Sequence, residues 1–366
     1  MEELSHVSPA SPEAQDKQLR VVAIGGGTGL STLLRGLKHY VAAPDRRKRP
    51  RVPVPNDRRR RQSSSYNAEK CVIGDLSAVV TVTDDGGSSG RLREDFKMLP
   101  PGDVRNCMVA LSEDEHLLSQ LFQFRFDQGE LDGHSFGNLF VAALSHITGD
   151  FAQAVQMSSQ ILATRGRIFP ATNTNVTLAA KMDDGSLVEG ETSITASPRR
   201  IVELMLRPAT AAPLPETLDA IAHADLITLG PGSLYTSLIT NLLVKGIPEA
   251  LAASKATRVF VCNLMTQANE SIGLTASQHI EKILDHCGCN IFDYALVNTA
   301  PISPALLAKY ASESQQPIEA DLERIRALGI EPVIGDFVHE GDLLRHDYDY
   351  VAAALLSLAK GRSVAA

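Results

Sequence analysis

The spacing of hydrophobic residues changes several times along the chain, and each change predicts a new element. Short apolar, β-branched runs lie at 19–27 (LRVVAIGGG), 76–85 (LSAVVTVTDD), 225–230, 258–264 and 294–298. Runs of this length that end in glycine or polar residues are typical of buried β-strands. The chain therefore predicts at least five strands, two of which run directly into glycine-rich segments.

Apolar residues at helical spacing follow most of these strands. The predicted helices that alternate with strands lie at 28–40, 214–224, 276–287, 304–311 and 346–360. A further group of helical patterns forms a continuous helical block over 103–164. Strands that alternate with helices predict an α/β fold with a mainly parallel sheet and helices on both faces.

Between 165 and 207 the pattern changes to period two, with turn signals such as DDG between the apolar segments. This predicts a small antiparallel β excursion from the main sheet. We expect a single α/β domain over 20–360 that contains this excursion. Residues 1–19 are rich in Ser, Pro and acids, and we expect them to form a disordered tail.

Charge is distributed unevenly along the chain. The formal net charge is −8, yet residues 45–61 hold nine Lys and Arg against two Asp. We expect a disordered basic insertion over 44–68, whose functional alternative is contact with an anionic partner such as nucleic acid or a membrane surface. The chain has no apolar run long enough for a transmembrane segment and no secretory signal pattern, so we expect a cytoplasmic protein.

Two glycine turns stand at predicted strand ends, where ligands of parallel sheets bind. Gly25–Ser31 (GGGTGLS) lets backbone N–H groups approach a phosphate at a helix start, with Thr28 and Ser31 as hydroxyl donors. Leu229–Ser237 (LGPGSLYTS) is similar, and Ser233 either caps the following helix or contacts an anion. The alternative for each is a plain tight turn. Together they favour a nucleotide or nucleotide-sugar crevice.

A third strand end has the sequence VTVTDDGGSSGRLR at 80–93. Asp84 and Asp85 are suited to hold Mg²⁺, to accept hydrogen bonds from a ribose, or to act as a general base. Arg91 and Arg93 are suited to clamp phosphates. The alternative is a charged turn in which acids and bases pair locally.

Two other motifs contain polar side chains near predicted helix ends. GHSFGN places His134, Ser135 and Asn138 at a helix start, and LPPGDVRN places Asp103 at a predicted N-cap. HCGC at 286–289 lacks a second ligand pair at zinc spacing, so we interpret it as an ordinary helix end.

These motifs together resemble the YvcK-like gluconeogenesis factor family, which shares a superfamily with CofD, the 2-phospho-L-lactate transferase. The resemblance covers about residues 20–300. The motifs occur in the family's order: GGGTGLS, VTDDGGSSGRLR, LPPGDVRNCMVAL, FRF, GELDGHSFGNLFVAAL, LGPGSLYTSLITNLL and CNLMTQ.

The resemblance implies a Rossmann-like fold, a bacterial protein and a role linking gluconeogenic carbon metabolism to cell-wall synthesis and cell shape. It also implies binding of a nucleotide sugar, in particular a UDP-sugar such as UDP-N-acetylglucosamine. The ligand-binding residues that it implies, with Arg91 added from the third strand end, are Gly26, Gly27, Thr28, Gly29, Asp84, Asp85, His134, Asn138, Gly232, Ser233 and Asn263.

The chain departs from the family pattern at the basic insertion, at the longer N-terminal tail and at 268–271. There ANES replaces Pro-Gly-Glu-Thr and leaves only Glu270 in common. If this loop contacts the ligand, the departure puts specificity in doubt.

We expect a non-catalytic binding protein. The alternative is a Mg²⁺-dependent transferase of CofD type, in which Asp84 or Asp85 would hold the metal and form the catalytic centre. A nicotinamide-dependent oxidoreductase is disfavoured, because the acid at the expected spacing, Asp45, lies among arginines. The oligomeric state is left open by the sequence, with a homo-oligomer among the alternatives.

Overall fold

The fold is that of a computed structural model, which describes residues 18–42, 72–113 and 117–361. The predicted basic insertion and Asp45 lie outside these residues, as does the predicted N-terminal tail up to residue 17.

A seven-stranded sheet forms the centre of the molecule, and every paired neighbour in it is parallel. The strands are β1 (Leu19–Gly25), β2 (Ile73–Val80), β3 (Arg167–Pro170), β7 (Leu226–Leu229), β8 (Thr257–Val261), β9 (Tyr294–Asn298) and β10 (Glu331–Gly335). Their order in the sheet is β10-β9-β8-β7-β1-β2-β3. Most residues of β1, β2 and β7 are buried, as the near-continuous apolar runs predict.

Helices connect these strands and cover the sheet. They are α1 (Gly27–Lys38), α2 (Gly87–Phe96), α3 (Gly102–Leu111), α4 (Leu117–Gln123), α5 (Phe136–Thr148), α6 (Phe151–Ile161), α7 (Glu191–Ala196), α8 (Pro215–Ala222), α9 (Thr240–Leu242), α10 (Ile247–Ala253), α11 (Ala276–Cys287), α12 (Pro304–Ala311), α13 (Leu322–Ala327) and α14 (Tyr348–Ala359). A π-helix at Leu234–Ile239 leads directly into α9. The predicted α/β class with a mainly parallel sheet is confirmed.

The chain reverses its direction of winding between β1 and β7. From β1 the sheet grows outward through β2 to β3; the chain then returns, and β7 pairs with the other side of β1. In open α/β sheets, ligands bind beyond the strand ends at such a switch point. Both predicted glycine turns begin here.

The predicted β excursion at 165–207 is only partly separate from the main sheet. Its first segment forms β3, which pairs in parallel with β2 as the edge strand because Ile168 and Phe169 are buried against the core. The remaining strands, β4 (Thr177–Met182), β5 (Leu187–Glu189) and β6 (Ile201–Arg207), form a three-stranded antiparallel sheet in the order β5-β4-β6. The segment SLVEGETSIT (186–195), part of the predicted β excursion, is extended only at its start, because α7 begins at Glu191.

The predicted helical block is present as α3 to α6, but it begins earlier than predicted, with α2. The sequence of α2 is GSSGRLREDF, whose glycines and serines have low helix propensity. Its small residues permit close packing: a Cβ on Gly90 would lie 2.0 Å from Asp85 O. In α2, close packing against the neighbouring backbone therefore outweighs the low helix propensity of its glycines and serines.

The last part of the chain adds a short hairpin of β11 (Val338–Glu340) and β12 (Leu344–His346) that the apolar pattern does not predict. Strands of three residues are too short to show a period of two. In the described part of the chain, no helix has the length and apolar character needed to cross a bilayer.

Candidate functional site

The two glycine turns contact each other at the switch point. Gly230 N donates to Ile24 O at 3.0 Å, which fixes the turn after β7 against β1. A Cβ on Gly29 would lie only 2.2 Å from Pro231 O, so a residue with any side chain there would push the turns apart. The absence of side chains is what lets the start of α1 meet the second turn.

A cleft of about 310 Å³ opens along these turns. It brings together Gly26, Gly27, Thr28, Gly29, Gly232, Ser233 and Asn263, which the sequence motifs predicted as ligand-binding residues. Residues that the motifs missed also line it, among them Thr32, Gln267, Tyr310, Gln315, Arg345 and His346. Ser31 is outside this set, because its hydroxyl donates to Thr28 O at 3.0 Å within α1.

Asn263 holds the second glycine turn in place. Its Oδ1 accepts from Gly232 N at 3.0 Å and its Nδ2 donates to Gly232 O at 2.7 Å. Gln267 Nε2 donates to Ser233 Oγ at 3.0 Å, which leaves the Ser233 hydroxyl proton available for another acceptor. Ser233 therefore receives a hydrogen bond from the protein and can give one to a ligand.

The ANES departure lies beside the same turn. Glu270 accepts hydrogen bonds from Tyr235 N at 3.2 Å and from Thr236 Oγ1 at 3.0 Å at the start of the π-helix. Burial raises the pKa of Glu270, an effect that these two hydrogen bonds oppose. The one residue of this loop that the family pattern retains thus stabilises the helix after the second glycine turn.

The hairpin β11–β12 places Arg345 at the edge of the cleft. Among the described residues that line the cleft, Arg345 is the only one with a charged side chain. His346 Nε2 donates to Cys262 O at 3.0 Å, and Leu344 N donates to Tyr310 Oη at 3.0 Å. Burial lowers the pKa of His346 to about 4, so its ring is neutral at physiological pH. Within the described residues, Arg345 has no carboxylate partner, and its positive charge is available at the cleft.

The end of β2 is arranged differently, because Asp84 and Asp85 are engaged by the protein. Asp84 Oδ1 accepts from Gly86 N at 2.9 Å, next to the start of α2. Asp85 Oδ1 accepts from Thr192 N at 2.8 Å and from Thr192 Oγ1 at 2.6 Å. Asp85 thus joins the main sheet to the start of α7.

The arginines of the same motif also have protein partners. Arg91 Nη2 donates to Asp132 O at 2.6 Å, whereas Arg93 Nη2 donates to Val176 O at 2.5 Å and to Thr177 Oγ1 at 2.9 Å. Burial lowers the pKa of Arg93, against the effect of the neighbouring aspartates. Neither arginine lines the cleft.

Asp103 and Glu191 stand between the cleft and the end of β2. Burial, together with neighbouring Asp84, raises the pKa of Asp103 to about 6, although the backbone N–H of Gly27 donates to it. Burial and then the Asp103 charge raise the pKa of Glu191 to about 9. Thr83 Oγ1 donates to Glu191 Oε2 at 3.3 Å. Asp103 lies in the first turn of α3 and not at the N-cap, which is Pro101.

Two carboxylates of this region, Asp84 and Asp85, are also the predicted Mg²⁺ ligands. Across residues 18–42, 72–113 and 117–361, no three or more His, Cys, Asp or Glu side chains are grouped as metal ligands. The oxygens Asp84 Oδ1 and Asp85 Oδ1 face different backbone donors. Both oxygens are engaged by the protein, and the Mg²⁺ site at Asp84 and Asp85 stays a prediction, through which we derive no chemical step.

His134 and Asn138 converge on Ser88 of α2, away from the cleft. Ser88 Oγ donates to His134 Nδ1 at 3.1 Å and accepts from Asn138 Nδ2 at 3.1 Å and from Ser135 N at 3.3 Å. Burial lowers the pKa of His134, an effect to which Arg91 adds, which is consistent with an accepting ring nitrogen. These bonds connect α2 to the start of α5, and none of the three side chains lines the cleft.

Comparison with known proteins gives a consistent result over most of the chain. The family model described as 2-phospho-L-lactate transferase CofD matches residues 21–338. The chain is 46% identical over 342 residues to the gluconeogenesis factor of Halalkalibacterium halodurans, covering 93% of this chain and 96% of that one. It is 44% identical to the gluconeogenesis factor of Bacillus subtilis, covering 93% and 98%.

Solved structures agree with these relatives. The crystal structure of a protein member of the UPF0052 family from Bacillus halodurans superposes with a TM-score of 0.82 at 45% identity, covering 93% of this chain and 99% of that one. The chain therefore belongs to the CofD family and groups within it with the proteins named gluconeogenesis factor.

Proposed function

We propose that the chain binds a nucleotide sugar of the UDP-sugar type in the glycine-turn cleft. In this proposal the bound protein acts as a cytoplasmic regulator that links gluconeogenic carbon metabolism to cell-wall synthesis and cell shape. The observation that supports it best is the meeting of a glycine-rich helix start with Arg345 in one cleft. Backbone donors and a cation together are suited to bind a diphosphate.

The helix start supplies the first part of this recognition. The first N–H groups of α1 have no intrahelical acceptor. That of Gly27 donates to Asp103, and the helix dipole favours an anion beside the others. Gly26, Gly27 and Gly29 line the cleft without side chains, so a phosphate can approach the backbone closely. Ser233 adds a hydroxyl donor from the opposite turn.

Arg345 supplies the second part. The first cleft contains no carboxylate among its described lining residues, whereas the neighbouring region around Asp103 and Glu191 is acidic. The diphosphate of a UDP-sugar, with one negative charge on each phosphate, therefore finds its favourable electrostatic position at the glycine turns. The acidic region suits neutral hydroxyls of a sugar, which can donate to carboxylate oxygens.

Calorimetry with UDP-sugars, UDP, GDP and NAD, with and without Mg²⁺, tests the proposal, with mass spectrometry of the mixtures to detect turnover. We expect UDP-sugar binding without a product. Arg345→Gln should weaken that binding by about 10- to 100-fold, the usual effect of losing a charge-assisted hydrogen bond. Arg324→Gln, on the exposed surface of α13, is the matched control and should bind normally.

Two results would contradict the proposal. If the wild-type chain bound no UDP-sugar, the ligand class would be wrong. If Mg²⁺ and a phosphorylated substrate gave a transfer product, the CofD-type transferase would replace the non-catalytic regulator.

A further inference from the structure

Three consecutive helices of the structure carry almost no charge. α4, α5 and α6 have 7, 13 and 11 residues, and none of these residues is Asp, Glu, Lys or Arg. Charged residues make up 21% of the whole chain, so several would be expected in a segment of this length. A surface helix normally places charged residues on its exposed side. The exposed sides of these helices must therefore have another character.

The exposed sides of the three helices are apolar, and we call this surface the α4–α6 face. Leu117, Leu121 and Phe124 follow one another at helical spacing on α4 and at its end, so they share one side. Met157 and Ile161 have the same spacing on α6. The most exposed apolar side chains of the face, which are between 38% and 74% exposed, are Leu117, Leu121, Phe124, Ile147, Met157 and Ile161.

The three helices form one surface layer, because α5 packs against both of the others. The Phe122 ring of α4 lies 5.0 Å from the Phe140 ring of α5, measured between centroids. Phe136 N donates to Phe124 O at 2.9 Å, which holds the end of α4 beside the start of α5. α6 follows α5 after only two residues, 149–150, and turns back along it. The exposed apolar side chains are therefore on neighbouring helices.

The area of the α4–α6 face is suited to a stable protein interface. From their exposed fractions, its six side chains present roughly 500 Å² of apolar surface. Monomeric proteins rarely expose an apolar patch of more than a few hundred Å². An interface of standard size buries about 800 Å² on each partner. The face is thus large enough to be the apolar centre of such an interface.

The chemistry of the face suits a second copy of the same chain. In a two-fold symmetric dimer one patch contacts the same patch of its partner, so a charge near the axis would meet its like. A face without charged side chains avoids this repulsion, although the net charge of the chain is −8. Homodimer interfaces are apolar at the centre and polar at the rim. Arg125 and Asp127, exposed directly after α4, are suited to form part of that rim.

A lipid surface suits the same face less well. Helices that lie on membranes carry Lys and Arg beside their apolar residues, because these cations interact with anionic lipids. α4, α5 and α6 contain neither. The missing cations therefore favour a protein partner.

We propose that the α4–α6 face is the interface of a two-fold symmetric homodimer. None of its six exposed side chains lines the glycine-turn cleft or the neighbouring cleft beyond β8 and β9. The dimer therefore forms with the candidate ligand site still open, and the inference is independent of the proposed function.

Sedimentation velocity of the full chain tests this interface. We expect wild type to sediment with twice the mass of the chain at about 10 µM. Leu117→Glu/Ile147→Glu adds two carboxylates to the face of each copy, and should raise the dimer dissociation constant by about 100-fold or more. Leu187→Glu/Val202→Glu is the matched control, because both residues are exposed and apolar but lie on β5 and β6. It should remain dimeric.

Hydrogen exchange on wild type tests the face without any substitution. Amide exchange in peptides of 117–126 and 139–150 should slow as the concentration rises from about 0.1 to 50 µM, because the dimer excludes water from these helices. A wild type that is monomeric at about 100 µM, whether or not it binds vesicles of phosphatidylglycerol, would overturn the inference. So would a dimer that Leu117→Glu/Ile147→Glu leaves intact, or one that the control variant dissociates equally.

Discussion

The ends of the neighbouring strands β1 and β2 are built from similar residues but leave different surfaces. Both are followed by glycines, hydroxyl residues and a helix start. After β1, the glycines border an open cleft. After β2, the serines, aspartates and arginines bond to other parts of the protein, including Ser88 to His134 and Asp85 to Thr192.

The difference shows that a Gly-Ser-rich strand end predicts a backbone that another group can approach closely. It does not show whether that group is a ligand or another part of the protein. At β1 the glycines of the helix start line the cleft, whereas at β2 a Cβ on Gly102 would lie 2.4 Å from Ser89 Oγ and 2.7 Å from Asp84 Oδ2. The segment after β2 has more charged and hydroxyl side chains than the segment after β1, and more of them are hydrogen-bonded to other parts of the protein.

The largest effect should come from Gly29→Ala. The added Cβ would meet a backbone carbonyl that cannot rotate away, so the turns must separate. We expect a net loss of about 2 kcal/mol in the free energy of unfolding, since overpacking outweighs the better helix propensity of Ala. We also expect loss of most UDP-sugar affinity. Denaturant unfolding and calorimetry measure the two effects.

Gly341→Ala is the control for this prediction, because a Cβ there would be 3.8 Å from its nearest neighbour. It should change the free energy of unfolding by no more than about 0.5 kcal/mol. If Gly29→Ala retained both stability and affinity, the close contact between the two glycine turns would not be needed for the site.

Asp85→Ala should have a smaller effect, and one confined to stability. It removes two hydrogen bonds at the start of α7, a loss comparable to that of a helix cap, about 1 kcal/mol. UDP-sugar affinity should stay within about threefold. Thr192→Val removes one of the two bonds, and a double-mutant cycle of the pair should show coupling in the free energy of unfolding. A large loss of affinity at unchanged melting temperature would instead place Asp85 in the ligand site.

The sequence predicts some elements with the bounds that the structure has. β9, α11 and α12 begin and end where predicted, because their apolar period is clear and their starts are marked by Thr275 and Pro304. α2 was missed since its Gly-Ser-Ser-Gly start favours a turn locally, and only its packing against Asp85 and α5 makes it helical. The helix propensity of the α2 sequence does not show this packing, so the sequence alone does not predict the helix.

In the candidate site, too, the residues on locally predictable elements were found from the sequence, and those placed by long-range contacts were not. The glycine turns were predictable, because strand ends and helix starts are local features that a parallel sheet brings together. Arg345 and His346 were not, since they come from a short hairpin whose place depends on a hydrogen bond from His346 to Cys262, 84 positions away. The segment LLRHDYDY shows only that a basic residue precedes a helix.

Glu191 should give the wild-type protein a pH dependence of stability, which sharpens the contrast between the acidic region and the cleft. The pKa of Glu191 is about 9 in the folded protein against an ordinary 4.5, so the folded state holds a proton that the unfolded state releases. Stability contributed by that proton is complete below about pH 4.5 and is lost as the pH rises toward 9. Glu191→Gln removes the titrating group and keeps the shape.

We therefore expect the melting temperature of wild type to fall more steeply between pH 5 and 9 than that of Glu191→Gln, with the variant the more stable of the two at pH 9. Glu203→Gln, on exposed β6, should retain the wild-type slope. Equal slopes in all three proteins would mean that Glu191 titrates as a solvated carboxylate. The region beyond β2 would then be open to water and charged ligands, and the contrast with the β1 cleft would disappear.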